Sequence, residues 1–173
     1  MDSTGFPPLA RADAAVLVLG SLPGQESLRR GEYYAQARNA FWPIMGALLG
    51  AGPELPYAGR RERLRGARIA VWDVCASAFR AGSLDSAIVR DSIVVNDFGA
   101  FFAAHPALEL VCFNGAKAEE LFTRRVLPEL AGRGALLARR RLPSTSPAHA
   151  ACSFADKLAA WRIVAEVAGT APR

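Results

Sequence analysis

The chain has 173 residues, 51% of them hydrophobic, with a mean hydropathy of +0.14. That composition suits one domain, residues 1–173, able to bury about two thirds of its extended surface, and it excludes a disordered chain. Lys and Arg outnumber Asp and Glu by 21 to 16, a net charge of +5, and nearly all the cations are arginines, whose planar fork suits phosphate oxygens. No run approaches the ~18 consecutive apolar residues of a membrane span. The opening MDSTGFPPLARAD carries no charged-then-apolar leader, so the expectation is a soluble, cytoplasmic protein.

The first predicted element is a buried strand, AAVLVLG at 14–20. GSLPGQES follows it directly. Gly20 and Gly24 flank Pro23, a rigid turn whose backbone amides suit an anion or a polar ligand. The spacing is neither G-x-G-x-x-G nor a P-loop, so it gives no support for a dinucleotide or nucleoside triphosphate. Next comes YYAQARNAFW at 33–42, four rings around Asn39. Asn39 reads in two ways: as the N-cap of a helix predicted over 39–50, or as a carboxamide that handles water or a flat heterocycle.

AGPELPYAGR (51–60) reads as a loop, and ARIAVWDV (67–74) as a second buried strand ending at Asp73. No second acid or histidine adjoins Asp73, so it reads first as pocket scaffolding and second as a base. RAGSLDSAIVRDS (80–92) is irregular, followed by a helix over 96–104 that ends near His105. The third strand, LELVCFNG (108–115), places Asn114 at its mouth before a helix over 116–130. Asn114 is either a turn or cap residue, or a base reader. An amide donor and acceptor side by side complement an adjoining carbonyl and ring N–H, as in hypoxanthine or uracil, and mispair with adenine. ALLARRRLPS (135–144) is the fourth predicted strand. LPSTSPAHA (142–150) then gathers Ser144, Thr145, Ser146, Pro147 and His149, groups that position phosphates, while Leu142 or a proline offers a wedge for a base stack. The last helix, 153–168, spaces Phe154, Leu158, Trp161 and Val164 at helical intervals.

Strands alternating with helices imply an α/β fold: a three-layer α/β/α sandwich on a four-stranded parallel sheet. Ligands of such folds sit beyond the carboxyl ends of the strands, where GSLPG, WDV, FNG and LPSTSPAHA all fall. Cys75, Cys112 and Cys152 are isolated, without a CxxC pair, and read as small core residues in a reducing compartment with no metal site.

In that order, GSLPGxxSL, YYxxxxNxFW, WDV…GSLDSAI, NDF, FNGxKAxxLF and LPSTSPAHA resemble the uracil-DNA glycosylase superfamily, and within it the hypoxanthine-DNA glycosylase (DNA-deoxyinosine glycosylase) branch, from about Val16 to Trp161. The resemblance implies a monomer that acts on double-stranded DNA containing a deaminated base. It implies flipping of that base and hydrolysis of its glycosidic bond to leave an abasic site, without metal or cofactor. Many members orient the water with an acid or asparagine in the first loop; Leu22 holds that position here. The similar branch uses the asparagine of YYxHPxNxFW, which corresponds to Asn39 as the catalytic residue. The resemblance further assigns Tyr33, Tyr34, Phe41, Gly20, Ser21, Leu22 and Asn114 to base binding, with Asp73 in the pocket. It assigns Ser27, Ser144, Thr145, Ser146, Pro147 and His149 to DNA. Two departures stand out: Gln36-Ala37 replaces His-Pro, and LPS replaces HPS, so Leu142 cannot stabilise a uracil oxyanion. Hypoxanthine is the expected substrate, with uracil or xanthine preference, or a non-catalytic DNA-binding relative, as alternatives.

Overall fold

The computed structural model describes residues 2–169. The strands in chain order are β1 (Asp2–Thr4), β2 (Val16–Gly20), β3 (Ile69–Asp73), β4 (Cys75–Phe79), β5 (Val94–Val95), β6 (Leu110–Asn114) and β7 (Ala138–Leu142). The helices are α1 (Gln25–Arg30), α2 (Phe41–Leu49), α3 (Tyr57–Gly66), α4 (Phe98–Ala104), α5 (Ala116–Leu121), α6 (Gly132–Leu136) and α7 (Phe154–Ala168).

Four strands form a parallel sheet in the order β3-β2-β6-β7, as the buried apolar runs required. Alternation along β2 divides the core. Val16 and Val18 pack with Ile44, Met45, Leu64 and Trp161 on one face. Leu17 and Leu19 pack with Phe98, Phe102 and Phe122 on the other. Helices therefore cover both faces, the three-layer arrangement. The registers pair Gly20 with Asp73 and Asn114 with Leu142, which brings the last residues of all four strands to one rim.

Several elements depart from the sequence reading. The stretch read as a loop at 51–60 ends inside α3, whose only buried side chain is Leu64; so polar a helix has no apolar stripe to announce it. The predicted buried strand at 135–144 splits into α6 and a short β7, with Arg139, Arg140 and Arg141 exposed. Because β7 is the sheet's edge, its arginines discourage pairing with another chain. The helix over 116–130 changes pitch, from α5 through a π turn (Phe122–Val126) to a 3-10 turn at Pro128. A second, antiparallel sheet, β1-β4-β5, carried no recognisable pattern in the sequence. Cys75 and Cys112 are buried and Cys152 is half-buried; all three are free thiols. Among the described residues no helix is long and apolar enough to cross a membrane.

Candidate active site

At the carboxyl rim of the sheet the strand ends surround a cleft of about 420 Å³, lined by Gly20 to Gly24, Ser27, Tyr33, Tyr34, Gln36, Asn39, Asp73, Asn114, the segment 83–86 and the segment 144–149. Residues from six separate stretches of the chain thus line one cleft.

Asn39 lies on a tight, self-bonded loop. Its backbone N–H donates to the Gln36 carbonyl at 2.9 Å, and the Gln36 side chain accepts from the Arg38 N–H at 2.6 Å. The next residue, Ala40, donates to the Thr145 carbonyl at 2.9 Å, which fastens this loop to the one after β7. Asn39 Oδ1 accepts the Phe41 N–H at 2.9 Å, at the start of α2. The N-cap of α2 is Ala40 rather than Asn39, which corrects the capping expectation: Asn39 closes an i to i+2 turn onto the first helix amide and also lines the cavity. A carbonyl oxygen has two lone pairs, so one remains for a further donor.

The rings divide their duties. Tyr34 stacks on Phe41 with centroids 4.1 Å apart, and Tyr34 takes the left-handed region at φ 55. For a bulky residue that backbone is an outlier costing roughly 1–2 kcal/mol, held here by the stack. Phe41 is completely buried and does not line the cleft, so the expectation that it contacts the base is corrected: Tyr34 lies in the cavity and Phe41 backs it. Trp42 is also core, its Nε1 donating to the Tyr33 carbonyl at 2.8 Å. Tyr33 reaches the cleft wall while its hydroxyl donates to the Pro7 carbonyl at 3.0 Å.

Asn114 is tied at both ends of its amide. Nδ2 donates to Thr145 Oγ1 at 2.8 Å, and Oδ1 accepts the Thr145 N–H at 2.9 Å. Thr145 is only 1% exposed, so this pair locks the loop after β7 onto the mouth of β6. Gly115, at φ 92, makes that approach possible, since a Cβ there would come within 3.0 Å of Ser144.

Asp73 forms the floor. It is 4% exposed, and its Oδ2 is buried without a hydrogen-bond partner among the described residues. Burial pushes its carboxyl up to about 7, Asp85 adds repulsion, and Arg80 opposes both. The Tyr34 hydroxyl is the other unpartnered buried atom of the cleft. Asn114 approaches it without completing a hydrogen bond, and burial holds the phenol far above its usual range. Gly20 lies between these groups: a Cβ there would stand 2.5 Å from Asp73 Oδ1 and 3.2 Å from Tyr34 Oη.

Three structural supports escaped the sequence reading. Arg80 is 1% exposed, and its guanidinium donates to the carbonyls of Leu22, Pro23 and Gly82, fixing the first loop from behind. Asp85 accepts from the Ser21 hydroxyl, and Ser83 Oγ accepts from the Gln25 N–H at 2.9 Å. GSLDS offered the only hint, as one part of a motif series; a buried arginine between two loops has no local signature.

The expected DNA contacts separate into two groups. Ser144 and Ser146 are half-buried and Pro147 and His149 exposed, all at the cleft mouth. Ser27 and Thr145 are buried; the Ser27 hydroxyl accepts the Ala35 N–H at 3.1 Å and so braces the tyrosine loop. Leu142 is 2% exposed within the core, so the reading of Leu142 as a wedge is corrected; at the sheet's rim its side chain turns inward. A larger groove of about 640 Å³ runs between α4 and α6, where Asp97 caps α4, and Arg125 and Arg133 donate to backbone carbonyls.

Comparison with known proteins identifies the family. The profile of the Uracil DNA glycosylase superfamily matches residues 7–165. The Hypoxanthine DNA glycosylase of Methanosarcina acetivorans is 35% identical over 150 residues, 82% of this chain and 94% of that protein. The protein of the same name from Methanosarcina barkeri is 37% identical over 121 residues, 69% and 75% of the two chains. A solution NMR structure from Methanosarcina acetivorans, described as a candidate uracil DNA glycosylase, superposes with a TM-score of 0.75 at 35% identity, covering 95% of this chain and 99% of its own.

Proposed function

The chain belongs to the uracil-DNA glycosylase superfamily, and on that footing we propose that it is a monofunctional DNA N-glycosylase that excises hypoxanthine from deoxyinosine in duplex DNA. The observation that carries this reading is the position of Asn39 on the wall of a cleft whose floor holds two unpartnered polar groups. Two relatives bearing the name Hypoxanthine DNA glycosylase support the choice of base.

In this mechanism the deoxyinosine leaves the stack, at a cost of a few kcal/mol, and enters the cleft against Tyr34. The free lone pair of Asn39 Oδ1 accepts from a water molecule and orients its oxygen toward C1′. The C1′–N9 bond breaks first, its electron pair departing with the base, and the sugar takes oxocarbenium character. Water then bonds to C1′ and loses a proton, and the base takes one up. A neutral carboxamide suffices because hypoxanthine spreads its negative charge onto the 6-oxo group. Removal of one oriented hydrogen-bonding partner elsewhere raises barriers by about 2.7–4 kcal/mol. Ser144, Ser146, Pro147 and His149 at the mouth receive the backbone beside the lesion. Leu142, buried in the core, offers nothing to a uracil oxyanion, which supports hypoxanthine over uracil as the substrate.

The test is a duplex with a single deoxyinosine, incubated with the protein and then treated with alkali. Strand scission reports base loss; intact strands at high enzyme would leave a DNA-binding relative. Parallel uracil and xanthine duplexes rank the substrates.

A further inference from the structure

Asn114 has one amide hydrogen and one oxygen lone pair engaged with Thr145, whereas the cleft's two buried polar atoms without any partner are Asp73 Oδ2 and Tyr34 Oη. The other oxygen of that carboxyl, Asp73 Oδ1, and Tyr34 Oη would stand 2.5 and 3.2 Å from the Cβ an alanine would carry at Gly20, so Asp73 and Tyr34 flank one point of the floor. An orphaned buried polar atom is costly, and such groups persist where a ligand completes them. Resting on the glycosylase reading above, we propose that Asp73 grips the extruded base: its protonated carboxyl donates to the exocyclic oxo group and accepts from the adjoining ring N–H.

The chemistry favours the neutral acid. Deamination turns an amino group beside a bare ring nitrogen into an oxo group beside an N–H, the lactam edge shared by hypoxanthine, xanthine and uracil. A carboxylic acid meets that edge with two parallel hydrogen bonds. An ionised carboxylate would instead face the oxo oxygen and the negative charge developing on the departing base. A donor aimed at that oxygen strengthens as the charge grows, which lowers the barrier. An apolar surrounding is what keeps an acid protonated near neutrality, and an incoming flat base removes more water from it. The Tyr34 hydroxyl, protonated throughout, supplies a second donor beside the first.

Opposite pH dependences separate this role from that of a general base. If Asp73 acts as an acid, single-turnover excision falls as pH rises through about 7 and beyond, by about tenfold per unit once the carboxyl is ionised. Were Asp73 a base activating water, the rate would rise over the same range. The charged and titratable groups near it are Tyr33 and Tyr34 from the loop before α2, Cys75 on β4, Arg80 and Asp85 beyond β4, and Lys117 on α5, with His149 on the cleft mouth.

The experiment measures single-turnover excision from a deoxyinosine duplex between pH 5.5 and 9 for the wild type, Asp73→Asn, Asp73→Ala and His149→Gln. Asp73→Asn keeps a donor and an acceptor and cannot ionise, so it is expected to stay active with the alkaline decline abolished. Asp73→Ala loses both bonds and should fall by about 10²–10³-fold. His149→Gln should keep the decline. A wild-type rate that rises with pH overturns the proposal without needing any variant to fold. So does an Asp73→Asn profile that still declines like the wild type, or a folded Asp73→Asn protein without activity. Wild-type protein inactive on deoxyinosine at every pH would instead refute the glycosylase reading on which the proposal stands.

Discussion

Asn39→Ala separates the turn bond seen at this position from the catalytic role proposed for it. The side chain gives the Phe41 N–H its acceptor at 2.9 Å, on a half-buried loop where water can replace it only in part. Losing that bond should cost about 0.5–1.5 kcal/mol of stability. For a chain of this size that lowers Tm by a few degrees, at roughly 2–4 °C per kcal/mol. The chemical role is larger: a barrier increase of about 2.7–4 kcal/mol, or 10²–10³-fold in rate. Single-turnover excision at saturating enzyme reads the second effect free of binding, and a thermal melt reads the first. Asn39→Asp keeps an acceptor oxygen for Phe41, so it should recover the Tm and show that the melting effect is the turn bond. Duplex affinity should be nearly unchanged in Asn39→Ala, because the phosphate contacts lie elsewhere. The reasoning fails if Asn39→Ala melts early yet cleaves within about threefold of wild type; Asn39 would then be a helix-start residue and the water would belong to another group.

Three further outcomes follow from the same geometry. Gly20→Ala should fold yet excise deoxyinosine at least tenfold more slowly (about 1.4 kcal/mol), because the new Cβ would stand 2.5 Å from Asp73 Oδ1; a wild-type rate would mean that the floor is not where the base rests. Asp73 is held at about 7 against an ordinary value of 3.8, so folding favours its protonated form. Its contribution is therefore complete below pH 4 and lost as pH rises through 7. Asp73→Asn should gain stability relative to wild type over that interval, on the order of a few kcal/mol, in denaturant titrations at pH 4.5 and 8; a constant difference would mean that the carboxyl is not desolvated. Duplex binding should weaken with salt at a log–log slope near −0.9 per phosphate contact, and a flat response would argue against DNA as the substrate.

An amide at 73 would relieve the cost of the buried carboxyl; under the proposal above, that carboxyl exchanges stability for chemistry.

Much was legible in the chain because some physical signals are local. The runs VLVLG, IAVW and LVCF are apolar throughout, as strands covered on both faces require, and polar or turn residues after each marked the rim where ligands bind. Ser153, Gly50 and Gly169 punctuated α7 and α2 where capping chemistry predicts. Elements without a periodic signal stayed hidden: α3, nearly all polar, and β7, an edge strand of arginines whose exposure depends on having no further neighbour. The site divides along the same line. Sequence placed Asp73 and Asn114 at one rim, and the family resemblance added Tyr34 and Asn39 to the site. Only the tertiary structure decided that Phe41 backs Tyr34, that Asn114 is held by Thr145 31 residues away, that Leu142 turns into the core, and that Asp73 Oδ2 has no hydrogen-bond partner. A residue type states which hydrogen bonds it can make; whether those bonds are already taken depends on segments brought together by the sheet, and no local pattern records that.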